Sequence, residues 1–256
     1  MKKPVNISNR IAAFFLVVCS LVASAQSSTN NNEQHSRGAD AQYLEVADHR
    51  REGFVPLFNA RDLSGWHVSR TSHQGTTPNF FVKDSAIIVN QRPYGQGGVL
   101  LTNKKYSAFE LHIEVKIDSF CNGGIFLRST ESGQAYQIEL AIPGGNGSLY
   151  GEAMAISKSV KAENVERVWK PGDWNALRIR MTGEVPRVAL WINGTFMWEV
   201  TQPKNDFTAG ATSGMIGLQS HWSATYQGLP GGFNMPGAWR PGAAHRFRNA
   251  YIKELD

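Results

Sequence analysis

Cysteine is nearly absent: Cys19 and Cys121 are the two in 256 residues. Cys19 falls in an N-terminal segment with the marks of a secretory leader. Lys2, Lys3 and Arg10 precede an apolar run from Ile11 to Val22, followed by Ala23-Ser24-Ala25 and then Gln26. Loss of residues 1–25 leaves Cys121 alone, which excludes an intrachain disulfide and makes the core the source of stability. No histidine or base flanks Cys121, so it reads as a structural thiol rather than a nucleophile. Leu16-Val17-Val18-Cys19 faintly resembles a lipoprotein acceptor site, but the bulky Val18 argues against anchoring. The expected location is periplasmic or extracellular.

Long apolar runs are missing too. The one in the leader is too short to span a bilayer comfortably, so no membrane span is expected. Excess charge of one sign is also absent once the leader is set aside. Its three cations take Lys plus Arg from 26 to 23, against 21 Asp plus Glu. No block of Lys and Arg with interleaved aromatics remains, which removes the motive for nucleic-acid binding. Helical periodicity is confined to a possible turn near Lys161 to Arg167. Nothing repeats at a fixed interval, which disfavours propellers and solenoids. The catalytic signatures Gly-x-Ser-x-Gly and His-Glu-x-x-His do not occur, and the histidines show no zinc-type spacing.

What is present is alternation. Residues 26–52 are polar, with Asn30-Asn31-Asn32, and read as a disordered linker. A single domain of 53–256 follows. Its clearest strand is Phe109 to Ile117: Phe109, Leu111, Ile113, Val115 and Ile117 share one face, while Glu110, His112, Glu114 and Lys116 share the other. Further short strands are predicted at Phe80–Val82, Ala86–Asn90, Val99–Thr102, Gly124–Ser129 and Tyr136–Ala141. Five more follow at Trp174–Thr182, Arg187–Ile192, Thr195–Val200, Gly214–His221 and Arg246–Leu255. Asn193-Gly194 signals a type I′ hairpin because both turn positions need positive φ. Asn122-Gly123-Gly124 and Gly144 to Gly147 read as a bend and a flexible loop. Together these predict an all-β, two-sheet antiparallel sandwich or jelly roll.

Parity then picks out polar groups that point away from the core. Phe126 and Arg128 oppose Ile125 and Leu127; Gln137 and Glu139 oppose Tyr136, Ile138 and Leu140; Gln219 and His221 oppose Ile216 and Leu218. Arg246 to Asn249 break strict alternation, which suggests a bulge that re-aims Arg248 and Asn249. Amides and guanidinium groups that hydrogen-bond hydroxyls, beside an aromatic that stacks on a pyranose, suit a small carbohydrate. Alternation alone leaves a second reading open, in which these are solvated faces and Arg128 pairs with Glu139 across adjacent strands.

Several segments, in order, carry a resemblance. They are Leu57-Phe-Asn-Ala-Arg-Asp-Leu-Ser-Gly-Trp66, Tyr106-Ser-Ala-Phe-Glu-Leu111, Asn122-Gly-Gly-Ile-Phe-Leu-Arg128, Gly172-Asp-Trp-Asn175, Ile192-Asn-Gly194, Ile216-Gly-Leu-Gln-Ser-His221 and Phe247-Arg-Asn249. From about Gly53 to Leu255 the chain resembles the bacterial 3-keto-disaccharide hydrolase family. The resemblance implies a concanavalin A-like jelly roll that cleaves the glycosidic bond of 3-keto-glycosides, by removal of the C2 proton, β-elimination and hydration. It implies Glu139 as base, Arg128 as enolate stabiliser and His221 as acid or hydrogen-bonder. Gln137, Gln219, Arg248 and Asn249 would hold hydroxyls, with Phe126 and Trp239 as aromatic contacts.

The chain departs from the family at the central strand. The usual Tyr-Glu-x-Gln is here Tyr136-Gln137-Ile138-Glu139, which moves the carboxylate roughly 7 Å along the strand. The loop from Trp222 to Ala244, with Tyr226, Trp239 and Arg240, is longer than usual and suits a wall or lid. A non-catalytic carbohydrate-binding module is the alternative reading on the same fold. A laminarinase-like hydrolase is disfavoured because Glu110 to Asp118 lacks the required carboxylate spacing. No cofactor is demanded. Glu139, His221 and Gln219 could ligate a divalent metal, but no spacing requires one. Oligomeric state, aglycone and anomeric preference are left open by the sequence.

Overall fold

The computed structural model describes residues 52–76, 79–142, 145–222 and 239–255. The expected leader, the linker up to residue 51 and the 223–238 part of the long loop, with Tyr226, lie outside the described residues. Fourteen strands follow one another: β1 (Val55–Pro56), β2 (Trp66–Val68), β3 (Asn79–Lys83), β4 (Ala86–Asn90), β5 (Gly98–Tyr106), β6 (Phe109–Ile117), β7 (Cys121–Ser129), β8 (Ala135–Ile142), β9 (Leu149–Glu152), β10 (Asn175–Thr182), β11 (Arg187–Ile192), β12 (Thr195–Thr201), β13 (Gly214–Ser220) and β14 (His245–Glu254). A single 3-10 turn at Val165–Arg167 is the helical element among the described residues, where the helical turn was expected. No helix among them is long and apolar enough to cross a membrane.

The strands form the expected antiparallel sandwich. One sheet has eight strands in the order β12-β11-β10-β6-β14-β4-β3, with β1 beside β14. The other has six, in the order β2-β5-β13-β7-β8-β9. The core lies between them because each strand turns one parity inward. Phe109, Leu111, Ile113, Val115 and Ile117 from β6 meet Ile125 and Leu127 from β7, Tyr136, Ile138 and Leu140 from β8, and Ile216 and Leu218 from β13. Asn193 (φ 50) and Gly194 (φ 80) turn the β11–β12 hairpin as the sequence requires.

The expected bend at Asn122-Gly123-Gly124 is instead part of β7. Its glycines allow close packing rather than a turn. A side chain at Gly123 would strike the His245 ring, its Cβ 2.7 Å from both Cε1 and Nδ1. Cys121 is fully buried and its thiol is pushed up to about 12, chiefly by burial, consistent with a structural role.

One asymmetry between the sheets prepares the site. The six-stranded sheet buries apolar groups on its second face as well: Val99, Leu101, Phe126, Ala135 and Met215 form a separate cluster there. The loop between β2 and β3 lies against that face. Gly133, in the β7–β8 turn, has its Cβ direction 3.5 Å from Ser72 Oγ and 3.6 Å from the Phe126 ring. Ser69, Ser72 and Gln74 of this loop are all buried. The outer face of this sheet is therefore partly roofed, and polar groups beside the apolar cluster sit in a recess.

Candidate active site

β8 projects Gln137 and Glu139 onto the roofed face, opposite Phe126 and Gly124 of β7. Gln219 of β13 is the next residue across, paired with Gly124. The absent side chain at Gly124 is what lets the three polar groups meet. A Cβ there would lie 2.6 Å from Gln137 Nε2 and 2.7 Å from its Cγ. Through that gap the Gln137 amide donates to Glu139 Oε2 at 2.7 Å and to Gln219 Oε1 at 3.2 Å. The carbonyl of Gln219 is thus engaged, whereas its Nε2 and the Asn122 Oδ1 are buried without a hydrogen-bond partner among the described residues. Buried polar groups are normally satisfied, so the Nε2 donor suits a carbonyl or hydroxyl oxygen of a ligand and the Oδ1 acceptor suits a hydroxyl that donates to it.

Glu139 is the chemically distinctive group. Its carboxyl is pushed up to about 7, first by burial and second by the nearby charge of Glu152; a hydrogen bond from Asn122 opposes the rise. Glu152 stands on the same face of β9, in register with Ala135. Its Oε1 accepts from Gln74 Nε2 at 2.8 Å and faces His73 Nε2 at 2.7 Å. The Gln74 carbonyl in turn accepts from the backbone N–H of Trp222 at 3.1 Å. Gln74 therefore ties the β9 edge to the segment that follows β13.

His221 has its backbone N–H on Asn122 O and its own carbonyl capped by Gln91. Its Nδ1 lies 2.6 Å from Trp222 O, and a carbonyl partner requires the hydrogen on Nδ1, which leaves Nε2 with a lone pair. The ring stacks on Trp222 at 5.7 Å. Two exposed aromatics flank the recess: Trp222, and Tyr150, which pairs with Gln137 across β9. Among the described residues no group of His, Cys, Asp or Glu has the geometry to hold a metal ion.

Residues 53–253 match the family model of the 3-keto-alpha-glucoside-1,2-lyase-like domain. The chain belongs to that family. Membership makes it a carbohydrate-active protein. Solved structures agree on the fold. A proposed glycosyl hydrolase from Parabacteroides distasonis ATCC 8503 is 19% identical with a TM-score of 0.56, over 82% of this chain and 97% of that one. A second from the same organism is 20% identical with a TM-score of 0.53, over 79% and 99%. The carbohydrate-binding module CBM66 of Bacillus subtilis is 11% identical with a TM-score of 0.51, over 74% and 96%. A search of curated proteins finds no match.

In this member of the 3-keto-alpha-glucoside-1,2-lyase-like family, the site expected from sequence is partly assembled. Glu139, Gln137 and Gln219 converge, and His221 follows directly on the β13 strand. Phe126 does project to their face, but it is fully buried in the second apolar cluster and cannot stack on a sugar.

Arg128 does not join them. Its φ of 53 and the register shift between Met215 and Gly217 on the neighbouring strand form a bulge that turns the side chain out of parity. The guanidinium donates instead to Ser107 O, between β5 and β6, and to Gly183 O, between β10 and β11. It clamps the two sheets together and is not paired with Glu139.

Arg248 and Asn249 lie on the outer face of the other sheet. There the expected β14 bulge occurs, between Arg248 and Tyr251, and both side chains bond Glu114 at 2.6 and 2.9 Å. Arg248 also covers the Trp174 ring at 4.1 Å. Trp239 is no stacking platform either: it is 2% exposed, donates its indole N–H to Asn122 O and packs 4.9 Å from His245.

Sequence reasoning missed Asn122, His73, Gln74, Tyr150 and Glu152. The last two did carry a signal, since Leu149 and Gly151 alternate with Tyr150 and Glu152, but four residues between loops give alternation little weight.

Proposed function

We propose that this protein is an exported enzyme that cleaves 3-keto-glycosides, with Glu139 as the base that removes the C2 proton. One observation carries the reading: the half-buried Glu139 carboxyl stands among unspent amide groups on the recessed face. Elimination next to a ketone asks for that combination. The ketone acidifies the neighbouring C–H, so a carboxylate of raised basicity suffices to abstract the proton. Burial supplies that basicity, since Glu139 is pushed up to about 7.

The C2–H electron pair moves into an enolate whose negative charge gathers on the C3 oxygen. A donor must meet that oxygen. With Arg128 committed to backbone carbonyls, the Gln219 Nε2 takes this part. It is a buried donor without a partner, and the Gln137 contact on its carbonyl fixes which end faces away. Re-formation of the C3 carbonyl expels the C1 glycosidic oxygen and leaves a C1=C2 double bond. Water then adds oxygen at C1 while Glu139 returns the proton to C2, so the net result is hydrolysis. His221 Nε2 and the Asn122 amide hold hydroxyls.

The test is incubation of the purified protein with 3-keto-trehalose and 3-keto-glucosides, following released 3-keto-glucose. Cleavage by wild type and its loss in Glu139→Gln are expected. Glycan binding with no cleavage of any 3-keto substrate would sink the reading in favour of a binding module of the same fold.

A further inference from the structure

We propose that His73, held by Glu152, is the proton donor to the departing glycosidic oxygen, and that the leaving-group ring rests on Tyr150. The inference rests on the 3-keto-glycoside reading above and adds the half of the reaction that Glu139 cannot perform. A half-buried base, having just taken the C2 proton, is poorly placed to protonate an oxygen that leaves toward solvent. A second group is needed at the rim, on the side where the leaving group exits.

The β9 edge supplies it. Glu152 keeps 15% of its side chain exposed and His73 keeps 46%, with 2.7 Å between carboxylate and imidazole. The ring nitrogen that faces a carboxylate carries a hydrogen, so the Glu152 contact fixes the orientation of the His73 ring. Gln74 is 2% exposed and anchors the same Glu152 oxygen, so the carboxylate is fixed from a second direction. Glu152 is also close enough to Glu139 to raise the latter's proton affinity, which places donor and base in one electrostatic site. Tyr150 lies two residues before Glu152 on the same strand and face, 40% exposed. It is the aromatic surface beside the donor. His221 has a backbone carbonyl, Trp222 O, at its Nδ1 rather than a carboxylate, and it follows β13 instead of lying at the β9 edge.

The proton balance closes. As the C1–O bond breaks, its electron pair stays on the glycosidic oxygen, which takes the His73 proton and leaves as a neutral alcohol. In the hydration half-reaction, neutral His73 recovers that proton from the water that attacks C1.

The experiment compares two leaving groups in wild type, His73→Asn and Glu152→Gln. The 3-keto derivative of 4-nitrophenyl glucoside releases a phenolate that needs no proton, whereas 3-keto-trehalose releases a sugar alkoxide that does. Exchange of the C2 hydrogen of 3-keto-glucose in D2O, read by NMR, reports the Glu139 step alone. His73→Asn is expected to lose roughly a hundredfold or more on 3-keto-trehalose, while nitrophenolate release and C2 exchange continue near the wild-type rate. Glu152→Gln, which leaves His73 without its carboxylate, should show the same split with a smaller loss when both are read at a pH where Glu139 is ionised. Its pH profile of C2 exchange should move to lower pH, because a charge that raises Glu139 is gone. Equal losses on both substrates, loss of C2 exchange, or no loss on 3-keto-trehalose would overturn the donor role while leaving the reaction class intact. A wild-type protein that cleaves neither substrate overturns the underlying reading, and the donor role falls with it.

Discussion

Replacement of Glu139 by glutamine should make the protein more stable at alkaline pH while abolishing turnover. In the unfolded chain the carboxyl titrates near its ordinary value of 4.5; in the fold it titrates at about 7. A group whose pKa is raised on folding contributes stability that is fully present below the unfolded value and is lost as pH climbs through the folded one. The window therefore runs from about pH 4.5 to about pH 7. At about 1.4 kcal/mol per pH unit, the span between the two values corresponds to about 3 kcal/mol lost at pH 8. Glutamine keeps the shape and an acceptor for the Gln137 N–H but carries no charge to bury, so this loss disappears. For a domain of this size each kcal/mol moves Tm by about 2–4 °C, and about 2.5 kcal/mol of the loss falls between pH 5 and pH 8, so the advantage of the variant should grow by roughly 5–10 °C over that range. Other titrating groups are common to both proteins and cancel in the difference. Scanning calorimetry of the pair across that range is the assay. A Tm difference that stays flat, or one that favours wild type as pH rises, would refute the claim that a charge is being buried at this position. Activity should mirror the same titration, with kcat/KM rising through about pH 7 as the base ionises.

Three further outcomes follow from the packing. His245 is fully buried and its imidazole is held down to about 3, chiefly by burial, so it folds neutral; the stability this confers at neutral pH is lost as pH falls from about 6.5 toward 3. His245→Phe should lose less stability than wild type between pH 6.5 and pH 4, read as urea midpoints, and parallel curves would contradict it. Gly124→Ala pushes a methyl group into the Gln137 side chain, and should cost on the order of a hundredfold in turnover by displacing the amide from Glu139 and Gln219, while circular dichroism stays that of the wild type. Arg128→Lys gives up the paired contacts to Ser107 O and Gly183 O. It should lower stability by about 1–3 kcal/mol in denaturant melts without changing the rate per folded molecule, and a selective loss of rate would return Arg128 to the site.

The parts of this fold visible in the sequence are those governed by local geometry. Alternation in Phe109 to Ile117 gives the strand and its inward face, and Asn193-Gly194 gives a turn, because each depends on a few neighbouring residues. Gln137, Glu139 and Gln219 were legible for the same reason. The misplaced residues failed for identifiable causes. Arg128 obeys parity up to a bulge, and one residue of positive φ reverses the face on which a side chain emerges. Arg248 and Asn249 do sit at the bulge that broken alternation predicts, but their strand lies away from Gln219. In space β14 joins β6 and β4 in the opposite sheet. Strand order across a sandwich is a long-range property, and no local pattern encodes it.

Depth at the site has a long-range origin as well, and it bears on the displaced carboxylate. A carboxylate on an open sheet face would be solvated and titrate near its ordinary value, a weaker base toward a carbon acid than one of raised pKa. Here the face is closed from two sides. The loop between β2 and β3 brings Ser72 over the edge of the cluster at Phe126 and Val99, and its Gln74 joins Glu152 to the Trp222 backbone. On the other flank the turn at Gly145 brings its Cβ direction within 2.9 Å of Glu139 Cγ, so only a glycine fits over that side chain. Residues separated by most of the domain thus cooperate to dehydrate one carboxyl. With the Gln–Glu order of the central strand inverted relative to the family pattern, the covered position is the one that carries the charge. The basicity of Glu139 is then set by what roofs it, and changes in the Gly145 turn or in Gln74 should move its titration without touching the carboxylate itself.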